Sequence, residues 1–338
     1  MTKLSDTAPA ARIAYQVLNQ YFKRHLDDVV EIEILPPSVT PPPGQVVLED
    51  DKAIGIPKRV LAGAFVEAAQ IFFDGLNQAK YLDDRPGHFQ HTLLDATRII
   101  LLFDPEHLTA TNLRKRHLLE VLARNGSNKK SSIEDSTATS LRQEAQREFC
   151  LLDSILTSNL HRQTKSPTLW NHRRWLYQLC LEHGSNHENV LKEYFLSQNT
   201  ILSEFSIIMK AGERHRMNYY AWQYSRHFLR LIESHHSTEN HPKLNDLAST
   251  LIAMVSEWCI KHPSDTSGLS FLLWLFSNDH STTMQAEKSV AMILRSAKSF
   301  EWRQESITGF LRLAAANQDL LCTDLQREIT QYIEPMDS

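Results

Sequence analysis

The sequence predicts an all-α protein, and three observations carry that prediction. Glycine is scarce, only 10 of 338 residues, where average usage of roughly 7% would give more than twice as many. Folds built on many tight turns or glycine-rich phosphate loops therefore recede. From about residue 57 onward, apolar residues recur three and four apart, the spacing of one helix face. Two aromatic-rich segments, around Trp170 and Trp222, also repeat one layout 52 residues apart, as stacked helical hairpins do.

Taken in chain order, residues 1–56 form an N-terminal segment with a helix over 8–25 and an alternating run, Val29–Leu35, that suits one strand or an extended arm. Five of the 13 prolines fall within residues 36–43, which read as an extended polyproline connector because proline fixes φ and lacks an N–H. Residues 57–334 read as the helical-repeat domain. Its first helix face is Val60, Leu61, Phe65, Ala68 and Phe72, and a later one is Phe149, Leu152, Ile155, Leu156 and Leu160. Between them, residues 125–140 are polar and serine-rich, which predicts a mobile surface loop. Asn125-Gly126-Ser127 matches a glycosylation sequon there, without a secretory route to use it. Apolar stripes over Met284–Leu294 and Ile307–Leu313 are expected to cap the array.

Composition narrows the function classes. With 36 Lys and Arg against 40 Asp and Glu, the formal charge is −4, giving no electrostatic case for nucleic acid or an anionic membrane. The sequence contains no G-x-G-x-x-G, P-loop, G-x-S-x-G or H-E-x-x-H signature, so the common self-contained nucleotide, hydrolase and zincin sites are missing. Cys150, Cys180, Cys259 and Cys322 never form C-x-x-C, which predicts reduced, mostly buried thiols in a cytoplasmic protein and no metal site of its own. The absence of a signal-like start or a long apolar run predicts a soluble chain with no membrane span, and the final EPMDS is no prenylation box. His235, His236 and His241 read as a solvated connector, and Asp83-Asp84 as a loop or helix stop.

The repeats are the most informative feature. Lys165-Ser-Pro-Thr-Leu-Trp-Asn-His-Arg-Arg-Trp175 places a proline at a helix start, then Trp170, with Arg173 and Arg174 one turn on. Met217-Asn-Tyr-Tyr-Ala-Trp-Gln-Tyr-Ser-Arg226 repeats this with Trp222 and Arg226. Degenerate copies at 104–114 and 262–272 put Thr111 and Leu269 at the tryptophan position, and Arg114 at the arginine position. The successive spacings are 59, 52 and 47 residues, so each unit is about two helices long. Such hairpins stack into a curved array with one concave face. Trp170 and Trp222 read as wedges between helices, while Arg173, Arg174 and Arg226 either pair within the fold or meet a partner.

Trp170-Asn-His-Arg-Arg-Trp-Leu and Asn218-Tyr-Tyr-Ala-Trp-Gln-Tyr resemble the α-subunit repeats of protein prenyltransferases, over roughly residues 100–280. The divergent, repeat-containing α-like members, linked to a third geranylgeranyltransferase type, are the most similar. The resemblance implies a right-handed superhelical array of antiparallel helical hairpins around a prenyltransferase β subunit. It also implies that the β chain holds the zinc, the prenyl diphosphate and the acceptor cysteine of a protein substrate. There a cysteine thiolate attacks C1 of the isoprenoid, and donors stabilise the departing diphosphate. In that family an α-side Lys-Asn-Tyr reaches the diphosphate. The matching positions here read Met217-Asn218-Tyr219 and Lys165-Ser166-Pro167, so no copy holds the full triplet. Asn218, Tyr219, Lys165 and the neighbouring Arg216 are the diphosphate-side candidates. A helical-repeat scaffold that binds a protein partner without prenyl transfer is the alternative.

Overall fold

The computed structural model describes residues 7–79, 87–127, 134–182, 189–236, 244–277, 282–317 and 319–334. Helices run α1 (Thr7–Arg24), α2 (Lys58–Ala79), α3 (Gly87–Phe103), α4 (Leu108–Ser127), α5 (Glu134–Leu156), α6 (His161–Thr164), α7 (Pro167–Glu182) and α8 (Asn189–Leu196). They continue as α9 (Gln198–Arg214), α10 (Tyr219–His236), α11 (Leu244–Lys261), α12 (Thr266–Ser277), α13 (Thr283–Ser299), α14 (Glu305–Ala316) and α15 (Thr323–Ile333). The all-α class holds, with one small sheet of β1 (Glu31–Leu35), β2 (Leu48–Asp50) and β3 (Ala53–Pro57) added. No helix among the described residues is long and apolar enough to cross a membrane.

The chain divides into two compact units, residues 1–195 and 196–338. In the first, α1 packs on α2 and α3, and α5 touches α4 and α7. The sheet has order β1-β3-β2, with β1 parallel and β2 antiparallel to the central β3. Its buried residues are Ile32, Ile54, Ile56 and Pro57, and the Val30 N–H donates to Ser154 Oγ on α5 at 2.9 Å. A Cβ on Gly55 would stand 2.6 Å from Leu35 Cδ2, so a larger residue there would have to displace the Leu35 side chain.

The alternation at 29–35 therefore marks β1, while β2 and β3 were not foreseen. Three residues of β2 and a five-residue β3 containing Gly55 and Pro57 give little periodic signal. The proline-rich stretch connects β1 to β2, strands of one sheet. It is less extended than its composition predicts, because Val39 N bonds Pro36 O at 2.9 Å and Gln45 N bonds Pro42 O at 3.0 Å. The second turn has Pro43 then Gly44 at φ 85°, the sequence a type II turn requires.

Of the polar loop expected over 125–140, both ends are helical, and residues 128–133 lie outside the described residues. Helix α4 runs to Ser127 and α5 begins at Glu134, since a helix anchored by buried Leu141, Ala145, Phe149 and Leu152 can extend through residues of modest propensity. Likewise, His235 and His236 close α10. His241, Asp83 and Asp84 lie outside the described residues, as do the last four residues of EPMDS.

In the second unit α10, α12 and α14 touch in succession, and so do α9, α11, α13 and α15. This is the two-row contact pattern of stacked hairpins. No disulfide is present; Cys150, Cys180 and Cys259 are buried, and Cys322 is exposed. Burial pushes the Cys150 thiol up to about 11 and the Cys180 thiol up to about 12, so neither supplies a thiolate near neutral pH.

Candidate functional site

The helix starts carry the repeat. Thr111, Trp170, Trp222 and Leu269 are each the fourth residue of their helix, α4, α7, α10 and α12. In each, the backbone N–H bonds the carbonyl four residues back, on His107, Ser166, Asn218 and Asp265, at 3.2, 3.1, 3.3 and 3.2 Å. Those four residues also cap with their side chains. His107 Nδ1, Ser166 Oγ, Asn218 Oδ1 and Asp265 Oδ1 accept from the N–H three residues on, at 3.1, 3.1, 3.3 and 3.0 Å, satisfying a donor that the first helical turn leaves orphaned. Helix α14 continues the backbone pattern, with Thr308 N bonded to Gln304 O at 3.2 Å.

Successive starts are tied together within each unit. Ser166 donates to Pro105 O at 3.3 Å and to Glu106, which also accepts from Thr168. Asp265 uses Oδ1 for its own helix, accepting from Ser267 N and Gly268 N at 3.0 Å each. Its Oδ2 accepts from the backbone N–H of Met217 at 2.6 Å. Met217 has φ 54°, a left-handed conformation that costs an L-residue with a side chain roughly 1–2 kcal/mol. Ser306 Oγ, near the start of α14, donates to Pro263 O at 2.7 Å.

The diphosphate-side candidates fall into two groups. Arg216, Asn218 and Tyr219 stand together at the start of α10, whereas Lys165 closes α6 in the other unit, next to the cap residue Ser166. Asn218 is wholly buried and occupied as the helix cap. Tyr219, the first helical residue, is 59% exposed, as Leu108 is at 63% at the same position of α4. Arg216 is exposed and Lys165 half-buried. Met217 takes the register of the family's lysine, and its N–H is already held by Asp265.

Most of the repeat-motif residues have partners within the fold. Trp170 is buried and its Nε1–H donates to Thr164 O at 2.9 Å. Arg173 is buried against Asp153 and lies 5.1 Å from the Phe149 ring. Arg114 is buried; its Nε and Nη2 grip Glu148 at 2.8 and 2.5 Å, and its Nη1 donates to Leu94 O and Thr97 Oγ1. His172 donates from Nε2 to Glu148 Oε1 at 2.7 Å. Burial alone would raise the Glu148 carboxyl, but Arg114 and His172 overcome it and hold it far below its usual range. His172 is lowered, burial outweighing the pull of Glu148, so its neutral ring serves as donor. Half-buried Arg174 shares its neighbourhood with Lys115, whose ammonium is lowered first by burial and then by Arg174. Lys115 lies over the Trp175 ring at 5.2 Å.

In the second unit, Trp222 is fully buried against Trp258 at 5.0 Å and Phe271 at 5.2 Å between ring centroids. A Cβ on Gly212 or Gly268 would stand 2.8 or 2.4 Å from the Trp258 ring, so two of the scarce glycines make room for this stack. Arg226 donates to Trp222 O and Ser270 Oγ at 3.1 Å each and lies 5.6 Å from the Phe271 ring.

Glu148, His172, Asp265 and the two glycines were not singled out in the sequence. Aligning the copies one turn upstream of the tryptophan position, where cap-forming Ser166, Asn218 and Asp265 coincide, would have found Asp265. The others have no local signal. Among the described residues no group of three or more His, Cys, Asp or Glu could hold a metal.

Two comparisons place the chain. Residues 169–297 match the ECM9 middle domain family. The human protein named protein prenyltransferase alpha subunit repeat-containing protein 1 is 26% identical over 198 residues, 57% of this chain. The match covers 41% of that protein's length. The chain, its helix starts held in one register, is thus distantly similar to a protein named for prenyltransferase alpha subunit repeats.

Proposed function

We propose that the chain is the α-type subunit of a heterodimeric protein prenyltransferase. It would organise a β subunit that carries the zinc and the prenyl diphosphate and transfers the isoprenoid, geranylgeranyl in this reading, to a cysteine of a protein substrate. The observation that carries it is the shared start of α4, α7, α10 and α12, in a chain similar over 57% of its length to a protein named for prenyltransferase alpha subunit repeats. Stacked repeats offer a partner an extended surface. Tyr219, Arg216 and Lys165 are this chain's candidate donors toward the diphosphate, where cations and hydroxyls stabilise developing charge. The complex would be cytoplasmic, a compartment that suits unpaired thiols.

One observation favours a second reading, a scaffold that binds a protein partner without prenyl transfer. The residues at the triplet positions of α10 are already used by the fold, Asn218 as a buried cap and the Met217 N–H by Asp265. The test is prenyl transfer by the purified complex carrying Lys165→Ala, Arg216→Ala or Tyr219→Phe. A drop of tenfold or more in kcat for any of them supports a donor role. Unchanged rates in all three remove these donors, and no transfer by the wild-type complex leaves the scaffold.

A further inference from the structure

We infer that Asp265 is a positioning residue for the Arg216–Tyr219 segment, an inference that rests on the α-subunit reading above. Asp265 is 1% exposed, and its two carboxylate oxygens serve two helices. Oδ1 caps α12 through Ser267 N and Gly268 N. Oδ2 reaches 48 residues back to the Met217 N–H at 2.6 Å. Capping alone does not require the second arm, because at the same register Ser166 and Asn218 cap their helices without a carboxylate.

The second arm falls where the backbone needs help. Met217 is one of three non-glycine residues with positive φ among the described residues, and it is 48% exposed, beside Tyr219 at 59%. A left-handed methionine with a half-exposed side chain persists only if the surroundings impose it. The buried carboxylate supplies that constraint. It fixes the turn between Arg216 and the first residue of α10, and with it the direction in which Tyr219 leaves the fold.

Asp265→Asn separates the two arms. The amide oxygen can still cap α12, but its NH₂ then faces the Met217 N–H, donor against donor. Asp265→Ser tests the same point differently, installing the cap that α7 already uses and removing the reach to Met217. Adding Met217→Gly to the serine variant removes the steric cost of the left-handed backbone.

Amide hydrogen exchange on the chain alone reads the latch, and affinity for a copurified β-type chain reads its consequence. The expected result is strong protection of the Met217 amide in wild type, lost by at least tenfold in both single variants while the Gly268 amide keeps its protection. Partner affinity should fall about tenfold in both and recover in the Asp265→Ser, Met217→Gly double variant. An unprotected Met217 amide in wild type overturns the latch whatever the partner does. A protected amide with unchanged affinity in the variants, or no recovery on adding Met217→Gly, overturns the positioning role. Failure of the wild-type chain to bind any β-type chain refutes the α-subunit reading and the positioning role with it, while the exchange data still decide the latch.

Discussion

Three residues beyond Trp170 in α7, Arg173 is buried against Asp153, and the equivalent Arg114 in α4 grips Glu148. Three residues beyond Trp222 in α10 stands Ser225, whose hydroxyl donates to Trp222 O at 2.7 Å, and three beyond Leu269 in α12 stands Leu272. That register thus holds buried charge in the first unit and none in the second, whose helices are instead wedged by the Trp222 and Trp258 rings fitted against Gly212 and Gly268. The shared part is the helix start, where a cap and a backbone bond leave little freedom. What lies a turn further varies, because a buried gap between helices can be filled by a paired charge or by an aromatic wedge as long as it is filled. The two cores should therefore fail under different insults.

The largest expected effect is in the charged core. Glu148→Ala strands the Arg114 guanidinium, already buried, and removes the partner of His172. Losing one side of a buried pair costs about 3–5 kcal/mol, read as a lower denaturant midpoint. Replacing Arg114 by Met as well should recover part of this loss. A Glu148→Ala chain as stable as wild type would erase the contrast between the units.

Next comes the aromatic core. Gly268→Ala puts a methyl group where the Trp258 ring stands, an overpacking of about 1–3 kcal/mol, larger than the gain in helix propensity of just under about 1 kcal/mol. Gly212→Ala should cost less, its clash being longer at 2.8 Å against 2.4 Å. Trp258→Phe combined with Gly268→Ala should relieve the clash. Stabilisation by Gly268→Ala alone would show that the glycine is not there for the ring.

Acid should separate the units. The folded Glu148 carboxyl lies below its ordinary 4.5, so its stabilisation is complete above about pH 4.5 and is lost as pH falls below that. His172 lies below its ordinary 6.5 because burial disfavours the imidazolium. The unfolded chain therefore takes up that proton first, and stability begins to fall below about pH 6.5. The Trp222, Trp258 and Phe271 rings carry no ionisable group of their own, although the His262 ring stacks on Trp258 at 4.2 Å and Arg226 lies 5.6 Å from Phe271. Fluorine-labelled tryptophan should report Trp170 and Trp175 loosening at a higher pH than Trp222 and Trp258; simultaneous loss would contradict the difference.

The smallest effect is at the shared element. Asn218→Ala removes a cap worth about 1 kcal/mol, and Ser166→Ala should cost a similar amount if the two starts are equivalent, both measured by thermal unfolding. A cost at one site alone would break the equivalence.

Much of this was legible in the sequence. Trp170 and Trp222 announced themselves as wedges because aromatic residues at repeated spacing on a helix face have few other uses, and Leu269 and Thr111 fell in the right register despite having lost the ring. Glu148 and His172 were not legible, since the partner of Arg114 lies 34 residues away and only the fold brings them together. Asp265 was half legible. Its place in His262-Pro-Ser-Asp265 marks a helix start, but its second bond, to Met217, depends on packing between neighbouring hairpins. Arg173, Arg174 and Arg226 were left open between pairing and partner contact; Arg173 is buried and paired with Asp153. For Arg226 the carbonyl of Trp222 and the hydroxyl of Ser270 are the partners.

The α-subunit reading is tested most directly by native affinity purification of the tagged chain, with intact mass and zinc content determined on the eluate. A one-to-one complex with a zinc-bearing prenyltransferase β-type chain is the predicted result. A monomer, or a complex containing neither zinc nor such a chain, would contradict it.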